Sequence, residues 1–333
     1  MRGAERYMPL AEVPRDMNVS EAARTADAVL EELRGAVIAD HRRLETILTA
    51  VVAEGHVLLE DVPGTGKTLT ARSLATALGL EFSRIQFTPD LLPADVTGTH
   101  VYDEHAGTFS FEAGPIFANV VLADEINRAP PKTQAALLEA MGETQVTVGG
   151  ETRPLPEPFF VVATQNPVEQ EGTFPLPEAQ IDRFMVKTEL GYPDRMGEIE
   201  LIDRRASRRS RTPAVDPVVG RKTVLALQSV PETVTVDPAL REYIVDVSRA
   251  TREDDRVDVG VSPRGVQRLF EAARARAAIA GRDYVAPEDV HAVVHPVVDH
   301  RLVLTTDAEV RGVDPAAIVE GALERVAVPS MAD

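Results

Sequence analysis

A parallel β-sheet covered by helices on both faces, followed by a smaller all-α domain, is the architecture expected of this 333-residue chain. Short segments of strand length, most of them apolar, alternate with helical segments ahead of Tyr192, at Val57–Leu59, Phe82–Gln86, Val120–Ala123, Phe159–Ala163 and Met185–Glu189. Such alternation belongs to α/β folds whose parallel sheet is buried on both sides. Beyond Tyr192-Pro193 the pattern turns mainly helical, over Met196–Arg205, Val219–Ser229, Pro238–Ala250, Ser262–Ala280 and Pro287–Val298. Apolar residues make up 44% of the chain, enough to fill two cores.

Each segment has its own justification. Residues 1–19 lack periodicity and are expected to form a mobile arm. Ser20 is a candidate N-cap for a helix carrying Val29, Leu30, Leu33 and Val37 on one side. A second helix carries Leu44, Ile47, Leu48, Val51 and Val52. Gly79 closes the helix expected at Leu69–Leu78. Val146–Pro154 alternates around Gly149-Gly150, a two-residue hairpin signal. The expected division is a core at 20–192, a linker at 193–215 and a helical domain at 216–333. The one basic cluster, Arg204–Arg211, is expected to be a solvated linker or helix end, with an acidic partner or RNA as the other reading.

Composition narrows the function. With no cysteine, disulfides and thiolate chemistry are excluded. No apolar stretch approaches the ~20 residues of a membrane span, and the N-terminus lacks a secretory pattern, so a soluble cytoplasmic protein is expected. Asp and Glu total 53 against 35 Lys and Arg, a net charge of −18, with lysine only at 67, 132, 187 and 222. This balance argues against broad contact with a nucleic-acid backbone. Adaptation to a high-salt cytoplasm and an ordinary acidic protein both remain open as its origin.

The densest chemistry lies in Glu60–Thr68, EDVPGTGKT. A buried strand runs into a loop whose glycines allow backbone N–H groups to turn inward on an anion. Lys67 supplies a point charge for β- and γ-phosphates, and Thr68 a hydroxyl for Mg²⁺. The following helix aims the positive end of its dipole at the same anion. The residues expected to hold ATP are Asp61, Val62, Pro63, Gly64, Thr65, Gly66, Lys67, Thr68 and Leu69. The loop looks like a Walker A motif with Asp61 in place of its first glycine. That position lies outside the tightest part of the turn, so the change is expected to be tolerated.

Val120–Ala123 delivers Asp124 to the same site, where it can share the Mg²⁺ shell with Thr68. Glu125 is then placed to orient or activate the attacking water. Alone, this segment reads equally as a strand ending in a polar turn; the phosphate loop upstream decides against that. Asn166 ends a similar strand, where it either hydrogen-bonds the γ-phosphate or lytic water or merely turns the chain before Pro167. Arg183 and Arg264 each read in isolation as surface charges. Phosphoryl transfer, however, rewards an inserted arginine by about 10³–10⁵ in rate. His291, His295 and Asp299 have helical spacing, but Pro296 interrupts the segment and no HExxH accompanies it, which argues against a metal site.

Several long strings now converge. They are GHVLLEDVPGTGKT (55–68), IQFTPDLLPADVTGT (85–99), GPIFANVVLADEINRAPPKTQAALLEAMGE (114–143), FFVVATQNPVEQEGTFPLPEAQIDRF (159–184), SPRGVQRL (262–269) and GRDYVAPEDV (281–290). With them the chain strongly resembles the MoxR family of AAA+ ATPases from about residue 30 to 303. The resemblance implies a P-loop AAA+ core with a helical lid, and an ATP- and Mg²⁺-dependent ring, hexameric in form. Lys67 and Thr68 match Walker A, Asp124 and Glu125 Walker B, Asn166 sensor 1, Arg183 the arginine finger and Arg264 sensor 2, in cis or in trans. The segment near 95–114 matches an insert in the second helix, and 146–154 a hairpin before sensor 1; such rings use both on a client. Where the family has Gly-Gln near the adenine pocket, this chain has Ala39-Asp40-His41. The implied output is chaperone-like remodelling, maturation or metal or cofactor insertion in a client complex, with a von Willebrand factor A domain protein as partner. A metal-chelatase motor subunit, a nucleic-acid NTPase and a nucleotide-gated binding module are the alternatives.

Overall fold

The structure, a computed structural model, describes residues 17–105, 107–167, 172–207 and 214–329. Most of the arm expected at 1–19 and part of the basic run at 204–211 lie outside these residues. The chain opens with α1 (Val19–Ala36) and α2 (His41–Val52). Helix α1 is capped by Asn18, not Ser20: the Asn18 carboxamide accepts from the Glu21 N–H at 3.0 Å, and the Glu21 carboxylate accepts from the Asn18 N–H at 3.1 Å. This reciprocal pair satisfies two orphan donors, which Ser20, already inside the first turn, cannot do.

Next come β1 (Val57–Glu60), α3 (Lys67–Ala77), β2 (Phe82–Gln86), α4 (Pro93–Thr97), β3 (Gly98–Asp103), β4 (Thr108–Ala113) and β5 (Val120–Asp124). Then follow α5 (Pro131–Glu143), β6 (Gln145–Val148), β7 (Glu151–Pro154), β8 (Phe160–Gln165), α6 (Glu178–Ile181) and β9 (Val186–Thr188). Five strands form one parallel sheet in the order β2-β5-β8-β1-β9. The two-residue period of the strands divides the core. Val57, Leu59, Val120, Leu122 and Val162 face one cluster, whereas Leu58, Val121, Ala123 and Val161 face the other. Both β3–β4 and β6–β7 are antiparallel hairpins outside the sheet. Gly149 and Gly150 have φ of 62° and 85°, the left-handed pair a tight hairpin turn requires. The two hairpins meet where the Arg153 guanidinium lies 3.9 Å from the Phe111 ring centroid.

The remainder comprises α7 (Arg195–Ser207), α8 (Arg221–Ser229), α9 (Pro238–Arg252), β10 (Val257–Val259), α10 (Pro263–Ile279), α11 (Pro287–Val298), β11 (Val303–Leu304), α12 (Thr306–Val310) and α13 (Pro315–Arg325). Helix α11 continues through Pro296, contrary to the expected interruption. The proline falls in the last turn, so a single intrahelical bond is lost there. The core on the α1–α3 side of the sheet runs without a break into α8–α11 and α13, so the C-terminal helices share its apolar interior. Among the described residues no helix is long and apolar enough to cross a membrane.

Candidate nucleotide site

At the carboxyl end of β1 the chain enters the phosphate loop. Gly64 and Gly66 take φ of +91° and +94°, and no heavy atom lies within 4 Å of the space a Cβ would occupy at either. The loop therefore presents bare backbone to a cavity of about 400 Å³. Pro63, Gly64, Gly66, Lys67, Thr68 and Leu69 line it from one side, and Asp124, Glu125 and Asn166 from the other. Asp61, Val62 and Thr65 form the underside of the loop. There the Lys67 ammonium donates to the carbonyls of Asp61 at 2.5 Å and Val62 at 2.8 Å. Burial lowers the Lys67 pKa, against the opposing pull of Asp61, Asp124 and Glu125. A polyphosphate fits this donor set: a helix N-terminus, glycine-loop backbone and one ammonium.

Asp61 is more than a tolerated departure from glycine. Its residue is 5% exposed, and its carboxylate accepts from the backbone N–H groups of Val62 at 2.8 Å, Leu190 at 2.9 Å and Gly191 at 2.8 Å. Burial raises its pKa, but the donors at Gly191, Thr65, Leu190 and Val62 outweigh it and hold the carboxyl below its ordinary value. The side chain ties the start of the phosphate loop to the segment leaving β9, a role glycine cannot fill.

Asp124 ends β5. Its Oδ1 accepts from the Thr164 hydroxyl at 2.6 Å, and its Oδ2 from Arg84 Nε and Nη2 at 3.0 and 2.6 Å. Glu125 follows in the left-handed region, at φ 56°, with its N–H donating to Thr164 Oγ1 at 2.9 Å. Its Oε2 accepts from Gln86 Nε2 at 2.9 Å and Arg128 Nη1 at 3.1 Å. A non-glycine residue here is uncommon and clusters at functional sites. Sequence reasoning assigned no site role to Arg84, Gln86, Arg128 or Thr164. The signal for the first two was the i, i+2 polar pair on β2, which gains meaning only because Gln86 lies in register with Asp124. Among the described residues no three acidic, His or Cys side chains cluster as a metal site. Thr68 and Asp124 beside a phosphate loop suit Mg²⁺, which is bound by one or two carboxylates plus phosphates and water.

Arg183 and Arg264 do not line this cavity. Arg183 lies along α5, donating to the Leu138 carbonyl and passing over Gly142, where an added Cβ would meet its Nη1 at 2.6 Å. Arg264 stands in the first turn of α10, which Ser262 caps, with its Nε 3.9 Å from Asp182 Oδ2. Both belong to the opposite end of the sheet. Met185 N–H donates to the His56 carbonyl at 2.8 Å just before β1, whereas Asp61 lies just after it. Five residues of extended chain separate those ends by about 16 Å. Elsewhere, His295 Nδ1 contacts Asp299 at 3.1 Å and its Nε2 contacts Glu320 at 3.0 Å, while His291 Nε2 contacts the Tyr243 hydroxyl at 2.7 Å.

A parallel five-stranded sheet with a glycine loop after its first strand, an Asp-Glu pair at the end of β5 with β8 between the two, and an appended helical lid defines an AAA+ ATPase. The profile of the ATPase family associated with various cellular activities (AAA) matches residues 56–186, and that of the AAA lid domain residues 249–322. Chaperone MoxR1 of Mycobacterium tuberculosis is 42% identical over 316 residues, 92% of this chain and 83% of the relative. YeaC of Bacillus subtilis is 48% identical over 282 residues, 85% of this chain and 88% of the relative. The crystal structure of a candidate ATPase from Cytophaga hutchinsonii superposes with a TM-score of 0.87 at 40% identity, covering 94% of this chain and 97% of that one. The chain belongs to the MoxR family of AAA+ ATPases.

Proposed function

We propose that the chain hydrolyses ATP as one subunit of a cytoplasmic ring, hexameric by resemblance, and spends the cycle on remodelling a client protein complex. Lys67 leaves the loop carbonyls to meet the β- and γ-phosphates. Thr68 and Asp124 would hold Mg²⁺, which when bound neutralises phosphate charge. Asp124 does so once Arg84 loosens its hold on Oδ2. Glu125 accepts a proton from the water that attacks the γ-phosphorus, and Asn166 orients that water or the phosphate. ADP and phosphate leave. Arg183 and Arg264 serve the triphosphate of the neighbouring subunit, where they stabilise the charge that develops on the transferred phosphoryl group.

One observation carries the ring: both arginines stand a strand's length from the cavity of their own chain. A shared site makes turnover depend on assembly, so hydrolysis moves one subunit against the next. The relative named chaperone supports the remodelling role. So do the paired hairpins, whose Tyr102 and Phe109 are 52% and 69% exposed with ring centroids 5.1 Å apart. A von Willebrand factor A domain protein is the partner we expect, with maturation or metal or cofactor insertion as the task. The test is phosphate release from mixtures of wild-type protein with Arg183→Ala. Activity should fall more steeply than the wild-type fraction while ATP binding persists. A decline in simple proportion to dilution would remove the coupling of turnover around the ring, and a failure of Arg183→Ala to regain activity when mixed with Glu125→Gln would remove the shared site.

A further inference from the structure

The side chain of Arg301, in the turn after α11, is only 2% exposed. Most of its guanidinium contacts go to one short segment of the nucleotide-binding core. Nε donates to Asp182 Oδ1 at 2.8 Å, Nη2 to the carbonyls of Asp182 at 3.2 Å and Phe184 at 2.7 Å, and Nη1 to the carbonyl of Met185 at 3.2 Å. Nη1 also donates to the Val297 carbonyl and to His300 Nε2. All five N–H groups therefore have acceptors, the condition under which a buried guanidinium is retained. The acceptors at residues 182, 184 and 185 bracket Arg183 on both sides. Asp182, the counter-charge, also faces Arg264 through its other oxygen at 3.9 Å.

We propose that Arg301 is a positioning residue for hydrolysis in the neighbouring subunit: it fixes the segment 182–185 to the helical domain so that Arg183 and Arg264 reach the shared site as one unit. The inference rests on the shared-site reading. Phe184 is fully buried, so the segment has a firm seat on its core side. The position of Arg183 along that seat is set by the backbone carbonyls that Arg301 grips. A shift of the C-terminal helices relative to the sheet is passed to the backbone around Arg183 through this side chain, while Arg264 moves with α10 itself. Lysine keeps the charge and lacks the fork, so it cannot hold the side chain of Asp182 and the carbonyls on both sides of Arg183 together. A misplacement of about 1 Å costs on the order of 10²-fold in rate.

The experiment is trans-complementation in the full-length protein. Glu125→Gln subunits carry an intact arginine edge and an inert cavity; Arg183→Ala and Arg301→Lys subunits carry the reverse. Alone, Arg301→Lys should lose on the order of 10- to 100-fold in kcat, with ATP affinity held within about threefold. Mixed with Glu125→Gln, both Arg183→Ala and Arg301→Lys should regain hydrolysis, because sound arginines now flank their cavities. Rescue of Arg183→Ala without rescue of Arg301→Lys overturns the role of Arg301 alone, since a general folding defect stays with its own subunit. Failure to rescue Arg183→Ala overturns the shared site itself. If Arg301→Lys does not fold, Asp182→Asn, which keeps the acceptor oxygen and removes the counter-charge, takes its place with the same expected and refuting outcomes.

Discussion

The phosphate cavity and the arginine edge lie at opposite ends of β1 and are built on different plans. In the cavity, Gly64, Gly66, Lys67 and Thr68 are chain neighbours, and their geometry follows from a local turn and a helix start. At the edge, Arg183 depends on Gly142 for space and on Arg301 for its backbone, with the Arg301–Asp182 pair 119 residues apart in sequence. A local device can act within its own chain. The edge is assembled from core and helical domain together, and in the reading proposed above it acts on another copy. The contrast predicts that cavity variants disable their own subunit, whereas edge variants disable the next.

The largest effect belongs to the cavity. Glu125→Gln should retain ATP yet lose about 10³-fold in phosphate release, in the range expected when a general base is removed. Release at the wild-type rate would transfer the role to another residue and break the comparison at its stronger end.

Next in size is an effect of acid on the strand that joins the two regions. His56 is fully buried, with Nδ1 accepting from the Val161 N–H at 3.0 Å and Nε2 3.0 Å from the Met141 carbonyl. Burial lowers its pKa from 6.5 to about 4. The unfolded ring takes up a proton below about 6.5, and the folded ring does so only below about 4. The native state thus binds fewer protons in that window, and stability falls as pH drops through it. The loss should reach about 3 kcal/mol by pH 4. Urea melts at pH 7 and 5 would capture about 2 kcal/mol of it, and a His56→Asn protein with the same acid sensitivity would assign the loss to other groups.

Asp61→Gly restores the glycine of the motif and should still destabilise the protein by about 2 kcal/mol, because the N–H groups of Val62, Leu190 and Gly191 lose their acceptor. An unchanged melting temperature would return Asp61 to the status of a tolerated substitution. Smallest is Gly142→Ala, which crowds the flexible end of Arg183. We expect a loss within about tenfold in kcat with ATP binding unaltered, in keeping with a slight misplacement of a catalytic group. A loss of nucleotide affinity instead would connect the edge to its own cavity and weaken the division drawn above.

Much of this was legible in the sequence because the signals were short-range. Most sheet strands declared themselves as apolar runs, Gly149-Gly150 announced a hairpin, and GTGKT announced the phosphate loop. The misreadings share a cause. Ser20 and Asn18 are both capping residues, and only the reach of Glu21 back to Asn18 separates them. Pro296 reads as an interruption until its place in the final turn of α11 is known. Arg84 and Gln86 carry no sign of their partners, because strand order, not chain order, sets β2 beside β5.

What the sequence determined by itself was the phosphate chemistry: turn glycines, a lysine, a hydroxyl and a carboxylate pair at strand ends act through backbone geometry that neighbouring residues dictate. The tertiary structure alone decided where the two arginines face, what Asp61 binds and why Arg301 is buried. Those outcomes depend on which distant groups can satisfy a charge removed from water, and no local pattern records that.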